Sequence, residues 1–521
     1  MTEIHRMPGL DEAATRLLAE VLAAMLRPGD LVALEGDLGA GKSTFARALI
    51  RALAGNPDEE IPSPTFTLVQ TYATPRLAIA HFDLYRLADP SELDELGLDA
   101  VLAGGVALVE WPRKGGDRLP GERLTIALGD AASGDAERRD IEVQGTGALD
   151  DRARRLALAF AMLQRSGWGA AGTRVAYLQG DASPRRYAQV SAPGKGRAVV
   201  MDWPRQADGP PIRDGLPYSR IAHLAEDVRP FVAVADALRG AGLAAPEIYS
   251  ADLDTGLLLI EHLGDGVYAQ ALRDGASQTE LWRAGVDVLV RMREVPAHGP
   301  LPIAGGGAWA LPRYDARAMA IEVELLADWL YPFATGTPMP LDVRAEFIAR
   351  WAEVIDRLQA LPVGWVMRDY HSPNLIWRPD RKGLDRVGVI DFQDALQGPL
   401  AYDVVSLCQD ARLDVAAALE SELVGYYCAE VRAREADFDE TEFRFAYAAL
   451  GAQRNTKILG IFARLSRRDG KRGYLVHMPR IWGYLERCLR HPSLTGLAEL
   501  YARHILPLRT ARADQHGASP T

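Results

Sequence analysis

Apolar and polar positions in the first part of the chain follow two different periods. Residues 13–26 (AATRLLAEVLAAML) have the apolar spacing of a helix, and LVALEG (31–36) is an apolar run typical of a buried strand. A second helical pattern covers 43–53. Further short strands are predicted at 66–72, 77–82, 105–110 and 141–145. Strands mixed with helices in this way predict an α/β layer fold.

The pattern changes after GTGALDD (145–151), where we place a domain boundary. The helical segment DRARRLALAFAMLQRSGW (151–168) opens the second part, and after about residue 280 most of the chain has helical periodicity. A single hairpin interrupts it around 375–390. Strands are predicted at 174–179, 186–192, 197–202 and 257–261. Strands followed by helices predict a bilobal α+β unit.

The length of the chain fits this division, because 521 residues are more than one ordinary hydrophobic core accommodates. We therefore predict an α/β domain over 1–148 and an α+β domain over 152–508. The polar segment RTARADQHGASPT (509–521) is expected to be a disordered tail.

Cysteine usage and hydropathy indicate the compartment. Cys408, Cys428 and Cys488 are widely spaced and form neither a metal pattern nor a disulfide framework, which favours a reducing cytoplasm. The N-terminus lacks the basic-then-apolar order of a signal peptide. No apolar run approaches the ~18 residues that span a bilayer. We expect a soluble cytoplasmic protein that does not bind membranes.

The net charge of −11 is concentrated in the first part of the chain. Residues 1–150 contain 14 Lys and Arg residues against 25 Asp and Glu residues, whereas residues 151–521 carry equal numbers of the two. An acidic domain repels the phosphate backbone of nucleic acids. We therefore expect no strong direct nucleic-acid binding, and any role in RNA chemistry would depend on protein partners.

GDLGAGKSTF (36–45) fits the pattern of a phosphate-binding loop, Gly-x4-Gly-Lys-Ser. Its glycines let backbone N–H groups turn towards phosphate oxygens, Lys42 adds a positive charge, and the Ser43 hydroxyl can bind Mg²⁺. The predicted strand before the loop and the helix after it support this interpretation. The ATP-binding residues predicted here are Gly36, Leu38, Gly39, Ala40, Gly41, Lys42, Ser43 and Thr44.

Two carboxylates follow predicted strands downstream. Asp83 ends the strand in HFDLYRL (81–87), and Glu110 ends the strand in VALVEWP (106–112). A carboxylate at this position can hold Mg²⁺ or its water in a nucleotide hydrolase. Taken singly, each also fits an ordinary solvated strand end.

Five motifs in order resemble TsaE, the ATPase subunit of the bacterial machinery that forms threonylcarbamoyladenosine in tRNA. They are GDLGAGKSTF, SPTFTLVQTY (63–72), HFDLYRL, ELDELGLD (92–99) and VEWP (109–112). The resemblance implies ATP hydrolysis that resets a transferase complex, with the other subunits as partners. It assigns phosphate and Mg²⁺ binding to Lys42 and Ser43, the second Mg²⁺ ligand to Glu110, and positioning of the attacking water to Asp83. Thr65 would lie in a nucleotide-sensing loop.

VMRDYHSPNLIW (366–377) has the spacing of a kinase catalytic loop. Asp369 would accept the proton of the substrate hydroxyl, and Asn374 would help to hold Mg²⁺. Asp391 follows a predicted strand–turn–strand segment and would be the main metal ligand. Order and separations fit a phosphotransferase.

The second part resembles the aminoglycoside phosphotransferase-like kinases, and most closely those that phosphorylate N-acetylmuramic acid and N-acetylglucosamine at the anomeric carbon. The matching stretches are LQGDASPRRYAQV (178–190), LLLIEHLGDG (257–266), RDYHSPNL (368–375), VIDFQDALQGPLAYDVVSLCQDAR (389–412) and QRNTKILGIFARLSRRDGK (453–471). The resemblance implies a bilobal kinase-like fold, ATP and Mg²⁺ as cofactors, and an amino-sugar substrate.

Two positions depart from the family pattern. Met367 stands where many relatives have a His that braces the loop, and no Lys lies on RAVVMDWP (197–204), where kinases hold phosphate with a lysine. Arg185 and Arg186 could supply that positive charge instead.

Six polar residues within the matching stretches could contact sugar hydroxyls, and a salt-bridged structural role is equally compatible with each. They are His371, Asp394, Asp403, Arg412, Arg454 and Asn455.

The sequence therefore predicts an α/β P-loop NTPase domain followed by a bilobal α+β kinase-like domain. We interpret the chain as a fusion of an ATPase that supports tRNA modification with an amino-sugar kinase. Three alternatives stay open: a nucleotide or small-molecule kinase in the first half, an aminoglycoside or choline kinase in the second, and a second half without activity that regulates or supports the first.

Overall fold

A computed structural model of the chain describes residues 3–178 and 185–509. The chain forms two compact units, Met1–Pro204 with Ile248–His262, and Arg205–Glu247 with Leu263–Thr521. The units do not divide at the predicted boundary near 148–152, so the assignment of 152–508 to one domain stays a prediction. Of the predicted tail, only Arg509 lies among the described residues, at the end of a helical turn.

Strands and helices in the described ranges have the following bounds. The strands are β1 (Ile4–Leu10), β2 (Leu31–Glu35), β3 (Val69–Tyr72), β4 (Ile79–Asp83), β5 (Val106–Glu110), β6 (Leu124–Asp130), β7 (Arg139–Gly145), β8 (Arg174–Leu178), β9 (Arg186–Ala192), β10 (Gly196–Asp202), β11 (Pro211–Arg213), β12 (Leu216–Pro217), β13 (Ile248–Asp252), β14 (Leu257–Glu261), β15 (Pro300–Pro302), β16 (Ala308–Ala310), β17 (Val363–Val366), β18 (Leu375–Trp377), β19 (Val387–Val389) and β20 (Leu396–Pro399). The helices are α1 (Glu12–Met25), α2 (Lys42–Ala54), α3 (Leu98–Leu102), α4 (Leu149–Arg165), α5 (Tyr218–Ile221), α6 (Arg229–Gly240), α7 (Tyr268–Arg273), α8 (Gln278–Met292), α9 (Ala316–Leu325), α10 (Tyr331–Thr335), α11 (Leu341–Gln359), α12 (Tyr402–Cys408), α13 (Ala417–Arg432), α14 (Glu440–Arg468), α15 (Met478–Leu489) and α16 (Thr495–His504).

A seven-stranded sheet organises the first part of the first unit, in the order β1-β7-β6-β2-β5-β4-β3. The central strands β6, β2, β5 and β4 are parallel to one another, and the outer pairs are antiparallel. Parallel strands place their carboxyl ends at one edge of the sheet, which is where ligands bind in such folds. The predicted α/β layer fold is confirmed, although the sequence pattern missed β1 and β6.

The second sheet of this unit is antiparallel, in the order β13-β14-β10-β9-β8. The predictions for 186–192 and 257–261 coincide with β9 and β14, whereas β13 was not predicted. Helix α4, which we assigned to the second domain, also packs against α1 and β7 of the first sheet. It therefore contacts both sheets of the first unit.

One apolar core runs between the two sheets. It includes Leu18 and Leu22 of α1, Leu34 of β2, Phe160 of α4 and Val200 of β10, all of them buried. These residues alternate along strands and recur at helical spacing, so each element turns one apolar face inwards. Separating the sheets would expose that whole surface to water, at a cost of roughly 25 cal/mol for each Å².

Helix α14 is the long central element of the second unit. Asp439 caps its first turn by accepting a hydrogen bond from the backbone N–H of Glu442. Gly460 lets the helix approach the end of α9 closely, because a Cβ there would lie 2.4 Å from the carbonyl carbon of Leu325. The predicted hairpin around 375–390 is present as the β18–β19 pair. In the described residues, no helix is both long and apolar enough to cross a bilayer.

The buried ion pair between Arg155 and Asp202 gives the first testable prediction. Arg155 of α4 donates from Nε to Oδ1 of Asp202 at 2.7 Å and from Nη1 to the carbonyl of Thr255 at 2.9 Å. Replacing it by Met leaves a buried carboxylate without its partner. We expect R155M to lower the free energy of unfolding by about 3–5 kcal/mol, measured by chemical denaturation of the whole chain.

The neighbouring Arg154 provides the matched control, because it is exposed and pairs with Asp151 on the helix surface. R154M should change the unfolding free energy by less than about 1 kcal/mol. Equal effects of the two substitutions would contradict the assignment of Arg155 as the buried tie between α4 and the second sheet.

Candidate functional sites

The glycine loop joins β2 to the start of α2, as predicted. Gly36 has φ of 143°, and a Cβ there would lie 2.4 Å from the carbonyl oxygen of Leu128, so only glycine fits. Lys42 donates from Nζ to the carbonyl oxygens of Gly36 and Asp37 at 2.7 and 2.8 Å. The same ammonium lies 3.7 Å from the centroid of the Trp111 ring. The carbonyl oxygens of the loop thus hold the Lys42 ammonium, and the oxygens of a bound phosphate could replace them as its acceptors.

The two predicted carboxylates meet at the edge of the sheet because Asp83 and Glu110 are register partners on β4 and β5. Ser43 Oγ donates to Glu110 Oε2 at 3.4 Å, and Thr65 Oγ1 donates to Asp83 Oδ2 at 2.8 Å. His81 Nε2 lies 2.9 Å from Glu110 Oε1. The structure therefore brings together Ser43, Thr65, Asp83 and Glu110, and adds His81, which the sequence did not single out.

An open cavity of about 310 Å³ lies at this edge of the sheet. Its lining includes the predicted residues Leu38, Gly39, Gly41, Lys42, Ser43, Thr44, Thr65, Asp83 and Glu110, together with Trp111. Burial lowers the pKa of Lys42, while the carboxylates of Glu110 and Asp83 act in the opposite direction. A pocket with one buried ammonium and two carboxylates at the first turn of a helix can hold a polyphosphate with a divalent cation.

The catalytic loop of the second unit follows β17 and reverses sharply. Arg368 and Asp391 have φ of 71° and 63°, conformations that non-glycine residues rarely adopt outside functional sites. Asn374 Nδ2 donates to the backbone oxygen of Asp369 at 2.9 Å and to Asp391 Oδ2 at 3.3 Å. The three residues predicted from spacing therefore lie together.

Both sites offer donors that suit Mg²⁺. The Ser43 hydroxyl, the carboxylates of Glu110 and Asp391 and the Asn374 amide are hard oxygen donors, which Mg²⁺ takes together with water and substrate phosphates. In residues 3–178 and 185–509, no group of three or more His, Cys, Asp or Glu side chains could hold a metal by itself. The oxygen donors present fit Mg²⁺ that nucleotide phosphates also hold.

Asp403 braces the catalytic loop from α12. Its two carboxylate oxygens accept the backbone N–H groups of Met367 and Arg368 at 2.6 and 3.0 Å. Burial raises the pKa of Asp403 to about 7, although the two N–H groups oppose the shift. Because both oxygens bind the loop, Asp403 holds it in position, whereas the sequence suggested sugar contact as one of its two roles.

Arg368 ties the same loop to α9 and α14. Its guanidinium donates to the carbonyl of Ala222 at 2.7 Å and pairs with Glu322, which also lies 3.2 Å from Lys457 Nζ. Glu322 is fully buried. Burial acts to raise its pKa, but Lys457 and Arg368 outweigh it and lower the pKa of Glu322 to about 2.

The remaining sugar-contact candidates have the following surroundings. Asp394 accepts the backbone N–H of Ala225 at 2.6 Å, and Arg412 lies 4.7 Å from the centroid of the Tyr474 ring. Arg454 donates to the backbone oxygen of Gln409 at 3.4 Å. Burial lowers the pKa of His371, whose Nδ1 has no hydrogen-bond partner among the described residues.

Asn455 differs from these residues because its side chain is fully buried and donates to Gln409 Oε1 and to the backbone of Gly451. These contacts hold helix α14. Its role in sugar binding stays a prediction without support from its position.

Arg185 and Arg186 lie in the first unit, at the start of β9. The Arg186 guanidinium is 3.7 Å from Asp202 Oδ2, and that of Arg185 is 5.1 Å from the centroid of the Trp203 ring. Most of the loop before them, 179–184, lies outside the described residues. Their predicted part in holding phosphate is untested.

Two protein families match different parts of the chain, and each match contains one of the two sites. Residues 10–141 match the family of the threonylcarbamoyl adenosine biosynthesis protein TsaE, and residues 174–441 match the phosphotransferase enzyme family. The second match covers more than half of the chain. Both resemblances inferred from sequence are confirmed, and so is the predicted order of the two folds.

Individual relatives agree with the families. An N-acetylmuramate/N-acetylglucosamine kinase of Caulobacter vibrioides is 35% identical over 367 residues, which cover 69% of this chain and 98% of that protein. The protein of the same name from Pseudomonas aeruginosa is 35% identical over 62% of this chain and 86% of its own. A TsaE protein of Rickettsia felis is 48% identical over 101 residues, 19% of this chain and 58% of that protein.

The buried Glu322 cluster generates a prediction with a pH signature. E322Q leaves Arg368 and Lys457 buried without their carboxylate, and we expect it to lower the free energy of unfolding by about 3–5 kcal/mol near neutral pH. The folded pKa of about 2 lies below the ordinary value of 4.5. The ionised group therefore stabilises the fold fully above that ordinary value, and its contribution is lost as the pH falls towards the folded pKa.

The measurement is the difference in unfolding free energy between the wild type and E322Q across this acid range. The difference should be constant above the ordinary pKa and shrink below it. E353Q is the control, because Glu353 is 65% exposed. A difference that stays constant throughout acidification would contradict the ion-pair account.

Proposed function

Since the chain belongs to the phosphotransferase enzyme family and carries a TsaE domain before that family's match, we propose that it is a bifunctional enzyme. The second part transfers the γ-phosphate of ATP to the anomeric hydroxyl of N-acetylmuramic acid or N-acetylglucosamine. The TsaE domain hydrolyses ATP in support of threonylcarbamoyl transfer to the tRNA adenosine beside the anticodon. The sugar 1-phosphate would serve cell-wall recycling.

The observation that carries the kinase proposal is the grouping of Asp369, Asn374 and Asp391 on a braced loop. Asp369 would accept the proton of the anomeric hydroxyl while the new oxygen–phosphorus bond forms and the bond to the β-phosphate oxygen breaks, releasing ADP. Asn374 and Asp391 would hold Mg²⁺, which neutralises phosphate charge when bound. The class of sugar comes from two relatives of this chain, which are named N-acetylmuramate/N-acetylglucosamine kinases.

The TsaE part is supported by the cavity around Lys42, Asp83 and Glu110. Thr65 bonds to Asp83, so a change in the loop that carries Thr65 would move the carboxylate proposed to orient the attacking water. The acidic balance of residues 1–150 favours protein partners over direct binding of tRNA. We propose the other subunits of the threonylcarbamoyl transferase complex as those partners, and the cytoplasm as the compartment.

The kinase proposal predicts loss of transfer in D369N. Removing the proton acceptor should lower kcat for sugar phosphorylation by about 10²–10⁴-fold, with KM for ATP nearly unchanged because Asp369 does not bind phosphate. The assay supplies the whole chain with ATP, Mg²⁺ and either N-acetylmuramic acid or N-acetylglucosamine. Phosphorus NMR then follows an acid-labile anomeric phosphate.

Asp380 is the matched control, since it is exposed in the β18–β19 hairpin near the catalytic loop in sequence, and D380N should retain full activity. Kanamycin and choline serve as competing acceptors in the same assay. Faster transfer to either of them than to both sugars would refute the amino-sugar proposal while leaving the kinase intact.

The ATPase proposal predicts that E110Q removes most of the gain in nucleotide affinity that Mg²⁺ gives at the first site. In a D391N background, which silences metal binding at the kinase site, Mg²⁺ should tighten binding of a fluorescent ATP analogue to the wild-type TsaE domain. E110Q should lose most of that gain, about 1–3 kcal/mol for one charged ligand. E35Q, a strand-end carboxylate paired with Arg113, should retain it.

A further inference from the structure

Four arginines surround a small cleft on the first unit, beside the cavity that holds Lys42. The cleft has a volume of about 130 Å³, and α1, α2 and β8 supply its walls. Its charged lining consists of Arg16, Arg47, Arg51 and Arg174. Such a concentration of positive charge is unexpected in a part of the chain where residues 1–150 have a balance of −11.

Two of these arginines have no carboxylate partner in the described residues. Arg47 donates from Nε to the backbone oxygen of Ser43 at 3.1 Å, and Arg51 donates from Nε to the backbone oxygen of Glu59 at 2.9 Å. Arg16 and Arg174 pair with carboxylates of α1, Glu12 and Glu20. Of the four guanidinium groups that line the cleft, those of Arg47 and Arg51 are therefore not paired with a carboxylate of the described residues.

An adjoining cavity of about 290 Å³ shares Arg16 and Arg174 with the cleft, and Glu12 and Glu20 also line it. Because these two carboxylates pair with Arg16 and Arg174, the guanidinium charge without a carboxylate partner comes from Arg47 and Arg51. Guanidinium groups that converge on one cleft without a carboxylate between them are a typical setting for a phosphate group.

The cleft shares a wall with the proposed ATP site. Thr44 lines both this cleft and the cavity that holds Lys42. Arg47 contacts the backbone of Ser43, the residue predicted to bind Mg²⁺. A ligand bound to Arg47 in the cleft would therefore act on the first turn of α2.

We propose that this cleft binds the phosphate group of a small phosphorylated metabolite. Its volume suits one phosphate group with the adjoining cavity for the rest of the ligand, and the acidic surroundings disfavour a nucleic-acid backbone. Arg16, Arg47 and Arg51 lie in the TsaE match, whereas Arg174 is the first residue of the phosphotransferase match. The complete cleft thus requires both parts on one chain.

The test titrates the whole chain without Mg²⁺, in a K42A/D391N background that disables both proposed ATP sites, with inorganic phosphate, pyrophosphate and glycerol 3-phosphate. Calorimetry should give one saturable site for at least one of the three anions. R47A/R51A should weaken that affinity on the order of tenfold or more, since each lost charge-assisted hydrogen bond contributes substantially.

R154A is the control for general loss of surface charge and should bind with wild-type affinity. Equal affinity of R47A/R51A and R154A for every anion would overturn the proposal, as would the absence of saturable binding. It would also fall if the arginine substitutions reduced binding of a short RNA and left all three small anions unaffected. These outcomes do not depend on ATP turnover, so failure of the proposed enzymatic function would be detected separately.

Discussion

The apolar core between the two sheets of the first unit is the constraint on which the rest of the chain depends. Helices α1 and α4 turn apolar residues towards the seven-stranded sheet and towards the five-stranded sheet β13-β14-β10-β9-β8. The polar ties at its margin, Arg155 with Asp202 and Glu20 with the backbone N–H of Val175, are buried. The matches to two families therefore meet at one core, and the segment between them, 142–173, contributes helix α4 to that core.

The two phosphate sites solve the same electrostatic problem in different ways. In the first, backbone carbonyls hold Lys42 ready, and a phosphate would replace them. In the second, a carboxylate does the positioning: Asp403 accepts two backbone N–H groups and fixes the loop that carries Asp369. Preorganised charge costs no rearrangement when the reaction occurs. The two loops therefore position charge differently, as two separate ATP sites of unrelated origin would.

The candidate sites were predictable where their residues are close in sequence. Asp369, Asn374 and Asp391 lie on one loop and one hairpin, and the glycine loop is a continuous motif, so spacing alone indicated them. The buried ion pairs that hold Arg368 of the catalytic loop were harder to predict, because Glu322 and Lys457 come from α9 and α14. No local pattern joins residues 135 positions apart.

The fold, too, could be predicted from the sequence only in part. Strands with regular alternation, such as β9, were predicted at their bounds, whereas β1 contains Pro8 and Gly9 and was missed. The helical periodicity of α4 was recognised, but its partners were not, because a sequence pattern gives an apolar face without saying what covers it. Contacts between residues far apart in sequence decide what covers the apolar face, and in this chain α4 packs against both sheets.

The central claim is that the chain carries two chemically independent ATP sites, one for hydrolysis and one for transfer. The most direct measurement follows sugar 1-phosphate formation by K42A in the whole chain, with ATP, Mg²⁺ and N-acetylmuramic acid. The account predicts that K42A forms the sugar phosphate at the wild-type rate, because Lys42 belongs to the hydrolysis site alone. Loss of sugar phosphate formation in a folded K42A chain would contradict it, and would mean that the two loops serve a single reaction.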